Sequence, residues 1–111
     1  MKTRQSKRRH NVYVIELASA VLDEKRFAGE NLDYDPAKLC LYVGMTGRTP
    51  DTRFAQHQEA YKSSKYPHRY GRRLRPELFE RHNPMTFEDA CAMEVALAEE
   101  LRNLGHAVWQ R

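Results

Sequence analysis

The stretch that most constrains this chain is residues 39–57, which read LCLYVGMTGRTPDTRFAQH. Its first five residues are apolar and rich in strand formers, and the glycine that follows predicts that a buried strand ends at Gly44. Thr49 and Pro50 then predict a helix start, because threonine caps free backbone N–H groups and proline suits the first helical position. We expect this helix to cover residues 50–62.

Three side chains that can form hydrogen bonds recur along this helix at Arg53, His57 and Tyr61. Residues four positions apart lie on the same face of an α-helix. That face is therefore the first candidate site in the chain. The simpler alternative is that His57 belongs to a polar surface without a chemical role.

Composition limits the chain to one domain, and the length of 111 residues leaves no room for a second. No apolar run approaches the roughly 20 residues that span a bilayer, and the basic start of the chain lacks the apolar segment of a signal peptide. We therefore expect a cytoplasmic protein that does not bind membranes. Cys40 and Cys91 lie in apolar segments without metal-ligand spacing, which predicts two reduced core cysteines.

Positive charge is clustered rather than spread. Residues 1–10 hold five cations and no acid, which predicts a disordered basic arm in front of a single domain over residues 11–111. Residues 62–81 hold a second cluster in which tyrosines alternate with cations, a pattern that suits contact with a nucleic-acid backbone. The alternative is an ordinary solvated loop. The predicted nucleic-acid contacts are Lys62, Lys65, Arg69, Arg72, Arg73 and Arg75.

The other segments predict an α+β fold. Residues 11–17 alternate like a strand, residues 18–38 suggest a short helix and a loop, and residues 77–82 suggest a third, short strand. Thr86 opens a final helix through a capping box with Asp89, and Gly105 ends it. The expected architecture is a small three-stranded antiparallel sheet flanked by helices. The last residues are expected to pack Val108 and Trp109 on the core.

Glu94 interrupts the apolar stripe of the final helix. A buried, unpaired carboxylate costs on the order of several kcal/mol, so an arginine or a metal ion should meet it. The alternative is that Glu94 lies at the edge of the stripe and reaches water. The stripe itself consists of Phe87, Ala90, Cys91, Leu97, Leu101 and Leu104.

Taken together and in order, Val12-Tyr13-Val14, Tyr42-Val43-Gly44, Arg53, His57 and Glu94 resemble the motifs of the GIY-YIG nuclease family. The resemblance covers about residues 11–106. It implies an enzyme that cuts phosphodiester bonds in DNA, on a small three-stranded sheet flanked by helices, with one divalent metal ion. That ion is Mg²⁺, with Mn²⁺ as a substitute. The chain departs from the family in reading VYV for the first motif and in its long spacer between the two motifs.

The resemblance also implies a role for each matched residue. Glu94 would bind the metal ion, and Arg53 would stabilise charge on the scissile phosphate. Tyr13 or Tyr42 would help to deprotonate the attacking group, and His57 would relay a proton or hold phosphate.

Two other hypotheses remain at this point. The first is a non-catalytic module on the same fold that binds DNA or RNA through charge. The second is a small α/β protein whose partner is another protein. Loss of magnesium-dependent nicking on replacement of Glu94 with Gln separates an enzyme from a binding module, and duplex affinity at low salt separates both from a protein-binding domain. The oligomeric state stays open.

Overall fold

The computed structural model describes residues 7–110 of the chain. Residues 1–6 of the predicted basic arm, and residue 111, lie outside the described residues. Lys7, Arg8 and Arg9 are exposed. His10, the last residue of that predicted arm, exchanges two backbone hydrogen bonds with Met85.

A mixed four-stranded sheet with the order β3-β1-β2-β4 forms the centre of the fold. β1 pairs antiparallel with both β2 and β3, and β4 pairs parallel with β2. The strands are β1 (Asn11–Leu17), β2 (Cys40–Thr46), β3 (Gly71–Leu74) and β4 (Ala107–Gln110). The α+β class and the antiparallel pairing of β1 with β2 are confirmed.

The predicted three-stranded sheet is wrong in two details. Residues 77–82 form no strand, since Pro76–Leu78 and Glu80–His82 are single 3₁₀ turns, and the third strand is the arginine-rich β3. An edge strand tolerates charged residues because one side of it faces solvent. The fourth strand arises because Gly105, at φ 102°, turns the chain after the last helix, so that it returns beside β2.

Four α-helices pack around the sheet in the described part of the chain. They are α1 (Lys25–Gly29), α2 (Pro50–Gln58), α3 (Lys65–Tyr70) and α4 (Phe87–Asn103). The predicted caps are confirmed, since the Thr49 hydroxyl accepts from the backbone N–H of Thr52 and Thr86 accepts from that of Asp89. The helix predicted over residues 50–62 ends early, so Tyr61 is not on it. None of the helices in the described part of the chain is long and apolar enough to cross a membrane.

The face of α4 that packs on the sheet differs from the predicted stripe at four positions, one of which is the buried Ala98. Its buried residues are Ala90, Glu94, Leu97, Ala98 and Leu101. Phe87, Cys91 and Leu104 are exposed, so Cys91 is not the core residue that the sequence predicted. Cys40 is buried as predicted, and both cysteines are free. The chain end packs as predicted, with Val108 in the core and Trp109 against it.

The sequence predicted that the strand ends at Gly44, but β2 continues to Thr46. Gly44 lies directly opposite Tyr13 in the antiparallel register, so the two residues share a face of the sheet. A Cβ atom on Gly44 would lie 2.5 Å from the Tyr13 hydroxyl oxygen and 2.6 Å from Cζ. The missing side chain therefore makes the space that the Tyr13 ring occupies.

We expect Gly44→Ala to destabilise the protein by about 2 kcal/mol, because Tyr13 is 1% exposed and has no room to move aside. Urea unfolding measures this effect. Gly29→Ala is the matched control, since a Cβ there would meet nothing within 4 Å. Equal stability of the two variants would contradict the assigned role of Gly44.

Candidate active site

The Tyr13 side chain on β1 is the centre of the candidate site. The register places Tyr13 and Tyr42 on the same face of the sheet, and their ring centroids are 6.3 Å apart. His57 on α2 packs against both rings, at 5.8 Å from Tyr13 and 5.5 Å from Tyr42. All three side chains are buried. The structure thus brings together these three predicted site residues from three different elements, and a fourth, Arg53 on α2, interacts with the Tyr13 hydroxyl.

Hydrogen bonds determine which nitrogen of His57 carries a proton. The hydroxyl of Ser63 donates to the backbone carbonyl of Ser64 at 2.8 Å, so the Ser63 oxygen accepts from His57 Nδ1, 2.6 Å away. Burial, and next the charge of Arg53, lowers the pKa of His57 to about 4, which keeps the ring neutral at pH 7. Nε2 is therefore unprotonated and accepts the Tyr13 hydroxyl proton across 2.8 Å.

Arg53 ties the loop after α2 to the helix. Its Nη1 donates to the Gln56 side chain at 3.2 Å and to the Tyr61 carbonyl at 3.0 Å, and its Nη2 donates to the Lys62 carbonyl at 2.9 Å. These bonds use three of the five guanidinium hydrogens. Two hydrogens lie outside these three bonds, and the guanidinium also interacts with the Tyr13 hydroxyl. A guanidinium in this position can donate to a phosphate oxygen as well.

The Tyr13 hydroxyl is held in its neutral form. Burial, followed by the neighbouring Tyr42, raises the pKa of Tyr13 well above its ordinary value of 10, and Arg53 opposes this shift. The carboxylate of Glu94 adds the weakest of the effects that raise this pKa. Tyr13 by itself is therefore a poor base at neutral pH, and its neutral partner His57 is the group able to accept its proton.

Glu94 is 6% exposed on α4, so the alternative in which it reaches water at the edge of the stripe is wrong. Its Oε1 accepts from the Gln110 side chain on β4 at 2.6 Å. Its influence on Tyr13 is electrostatic and acts over a longer range than the contacts of His57 and Arg53. The described residues contain no group of three or more His, Cys, Asp or Glu side chains placed to hold a metal ion together.

Most of the cations predicted to bind nucleic acid are paired with acids. Lys65 and Arg69 contact Glu24 at 2.9 and 3.6 Å, and Arg73 and Arg75 both contact Glu16. Although burial raises the pKa of Glu16, the hydrogen bonds from both arginines hold it below its ordinary value. Within residues 7–110, Arg72 and Lys62 are the two of the six predicted contacts that form no salt bridge.

The sequence did not single out two groups that orient the site. Ser63 fixes the tautomer of His57, and Gln110 bonds to Glu94. Ser63 lies in the loop between α2 and α3, and a serine in a loop is too common to indicate a contact with a particular histidine. Gln110 lies in the short β4, whose pairing with β2 was not predicted.

Comparisons of the chain with models of protein families, with curated protein sequences and with solved structures found no match. The family assignment therefore stays a prediction from the motifs.

The low pKa of His57 predicts how stability depends on pH. Because the unfolded chain binds a proton with a pKa near 6.5 and the folded chain only near 4, stability is full above pH 6.5 and falls as the pH drops towards 4. The loss from this group reaches about 3 kcal/mol below pH 4. His57→Gln should reduce the slope between pH 6 and 5 by about 1.2 kcal/mol per pH unit in urea unfolding.

His106 provides the control for this experiment. Burial, followed by the charge of Lys38, also lowers the pKa of His106, so it contributes a slope of the same sign. His106→Asn should therefore remove only its own share of the slope. A slope that is the same in His57→Gln and in the unaltered protein would show that His57 does not titrate as described.

Proposed function

We propose that this protein is a metal-dependent endonuclease that hydrolyses phosphodiester bonds in DNA. The observation that supports this most directly is the environment of the Tyr13 hydroxyl. It donates to a neutral histidine, interacts with a guanidinium and lies within the electrostatic influence of a buried carboxylate. A hydroxyl oxygen between a proton acceptor and a cation is suited to acid–base work on an anionic substrate.

Tyr13 and His57 would act as a concerted proton relay. A water molecule that attacks phosphorus would give its proton to the Tyr13 oxygen as the Tyr13 proton passes to His57 Nε2. Since both transfers occur together, no phenolate forms, which suits a tyrosine whose pKa is raised. The phosphorus–oxygen bond to the leaving nucleotide would break in the same reaction, and the leaving oxygen would take a proton from solvent water. Part of the lowered pKa of His57 comes from Arg53, so a phosphate that neutralises Arg53 would make His57 a stronger base. Tyr42 would position the His57 ring through its edge-to-face contact.

Arg53 would stabilise the charge that develops on the phosphate. The guanidinium has the planar geometry that phosphate oxygens match, and arginine stays charged throughout the reaction. The carbonyl groups of Tyr61 and Lys62 fix the guanidinium in place. Little reorganisation is then needed when the substrate binds.

The donor set fits a magnesium or manganese ion that keeps most of its waters. Magnesium is commonly held by one or two carboxylates together with substrate phosphates, and Glu94 supplies one carboxylate. The Gln110 carboxamide would hold that carboxylate in orientation. When bound, the ion polarises phosphate oxygens.

The test of this proposal is conversion of supercoiled plasmid to the open circular form in the presence of MgCl₂ or MnCl₂. We expect nicking that depends on the metal and stops when EDTA is added. A preparation that binds plasmid in gel shifts but never nicks it with either metal would contradict the proposal.

A non-catalytic module that binds DNA or RNA is the second candidate function. The raised pKa of Tyr13 and the absence of a multi-residue metal-ligand group in the described chain both favour it. The two candidates differ in nicking, whereas binding that weakens with salt is expected for both. A cytoplasmic location is part of either proposal, supported by the two free cysteines.

A further inference from the structure

A polar pocket of about 510 Å³ opens beside the candidate site, between the end of β2 and the loop that follows α2. Among residues 7–110, its lining includes three cations, Arg48, Arg53 and Lys62, and no acidic residue. Thr46, Gln56 and Tyr61 also line it. A concave site with three cations and no acid suits a phosphate-bearing ligand.

The pocket differs from most of the neighbouring basic segment in its free charge. Arg48 and Lys62 are exposed, and neither forms a salt bridge among the described residues. Four cations of the neighbouring segment are instead paired with Glu16 or Glu24, namely Lys65, Arg69, Arg73 and Arg75. Arg72 is unpaired within the described residues but does not line the pocket. An anion at one of the four paired cations has to compete with a carboxylate for it. An anion in the pocket does not, so the pocket is the stronger attachment point for a polyanion.

Tyr61 presents an exposed ring at this pocket. Its side chain is 53% exposed, and Lys62 Nζ lies 5.6 Å from the ring centroid. Ala60 and Lys62 both have positive φ, at 62° and 47°, a conformation that is unfavourable for residues with a side chain. The bonds from Arg53 to the carbonyls of Tyr61 and Lys62 hold this backbone in place. The loop therefore displays an apolar ring next to cations on a fixed backbone.

We propose that this pocket binds a nucleotide next to the scissile phosphate, with an unpaired base stacked on Tyr61, and the proposal rests on the nuclease function proposed above. An aromatic ring flanked by cations is the usual platform for single-stranded nucleic acid, since every base has a face that can stack. In a continuous duplex the neighbouring base pairs cover those faces. The enzyme therefore acts on DNA that is single-stranded or branched at the cut, in preference to fully paired DNA.

Fluorescence anisotropy in EDTA tests this preference without cleavage. Two fluorescein-labelled DNAs with equal numbers of phosphates are compared, a duplex with a single-stranded tail and a blunt duplex. We expect the tailed DNA to bind about tenfold more tightly, and Tyr61→Ala to remove this difference with less than about a twofold change for the blunt duplex. Tyr61→Phe keeps the ring and should bind like the unaltered protein.

The charge of the pocket is tested by the salt dependence of binding to the tailed DNA. Replacing Arg48 and Lys62 with Ala should lower the slope of log K against log salt by about 1.4, since each phosphate contact to a single strand contributes about 0.7. Lys38→Ala removes an exposed cation that lies beside Gly105 and does not line the pocket, so it should leave the slope unchanged.

Equal losses for tailed and blunt DNA in Tyr61→Ala would overturn this inference, as would equal slopes for the Arg48/Lys62 and Lys38 variants. Nicking in magnesium is a separate measurement. Failure of the unaltered protein to nick any DNA would count against the nuclease function, whereas nicking without a preference for unpaired DNA would count against the pocket alone.

Discussion

Glu94→Gln is expected to lower the rate of magnesium-dependent nicking by about 100-fold or more. Glutamine has nearly the shape of glutamate and keeps an oxygen that can accept from Gln110, so α4 should pack as before. What it loses is the negative charge, and a hard divalent cation binds a neutral amide oxygen far more weakly than a carboxylate. Plasmid nicking as a function of magnesium concentration measures the loss, and binding in EDTA should stay unchanged.

Glu99→Gln is the matched control for this variant. Glu99 is an exposed carboxylate on the same helix, so the control makes the same chemical change away from the site. We expect it to nick at the unaltered rate. If Glu94→Gln and Glu99→Gln were equally active, with both proteins folded, the proposal that Glu94 binds the metal ion would be wrong. Any nicking would then not depend on this carboxylate.

Tyr13→Phe is expected to slow nicking by about 100-fold, because the hydroxyl that links the attacking water to His57 is absent. The ring stays in place over Gly44, so the core should keep its packing. The variant leaves the buried Nε2 of His57 without its donor, which should destabilise the fold by about 1–2 kcal/mol. Activity is therefore measured well below the unfolding temperature, with DNA binding in EDTA as the check on substrate affinity.

Tyr70→Phe separates the chemical effect from the structural one. The Tyr70 hydroxyl donates to the Glu24 carboxylate at 2.7 Å, away from the candidate site, so its loss also removes a side-chain hydrogen bond. This variant should nick normally. If Tyr13→Phe nicked as fast as Tyr70→Phe, the proton relay through Tyr13 and His57 would be excluded.

The sequence pattern of the cationic segment predicted its charge but not the pairing of that charge. Residues 62–81 contain seven cations and two acids, which predicts a continuous basic surface. In the folded chain, Glu16 from β1 and Glu24 from the turn before α1 reach this segment and pair with four of its cations. Those acids lie roughly 40 or more residues away in sequence, and no local pattern indicates the pairing.

The sequence by itself determined β1, the start of β2, both long helices with their caps, and the presence of Glu94 in a buried stripe. These features depend on residues within a few positions of one another, and periodicity and capping describe such short-range interactions well. Only the tertiary structure decided the parallel pairing of β4 with β2, the space at Gly44 that admits the Tyr13 ring, and the contact between Ser63 and His57. Each of these depends on atoms brought together by folding, since register, free volume and tautomer are properties of contacts that the linear order of residues does not specify.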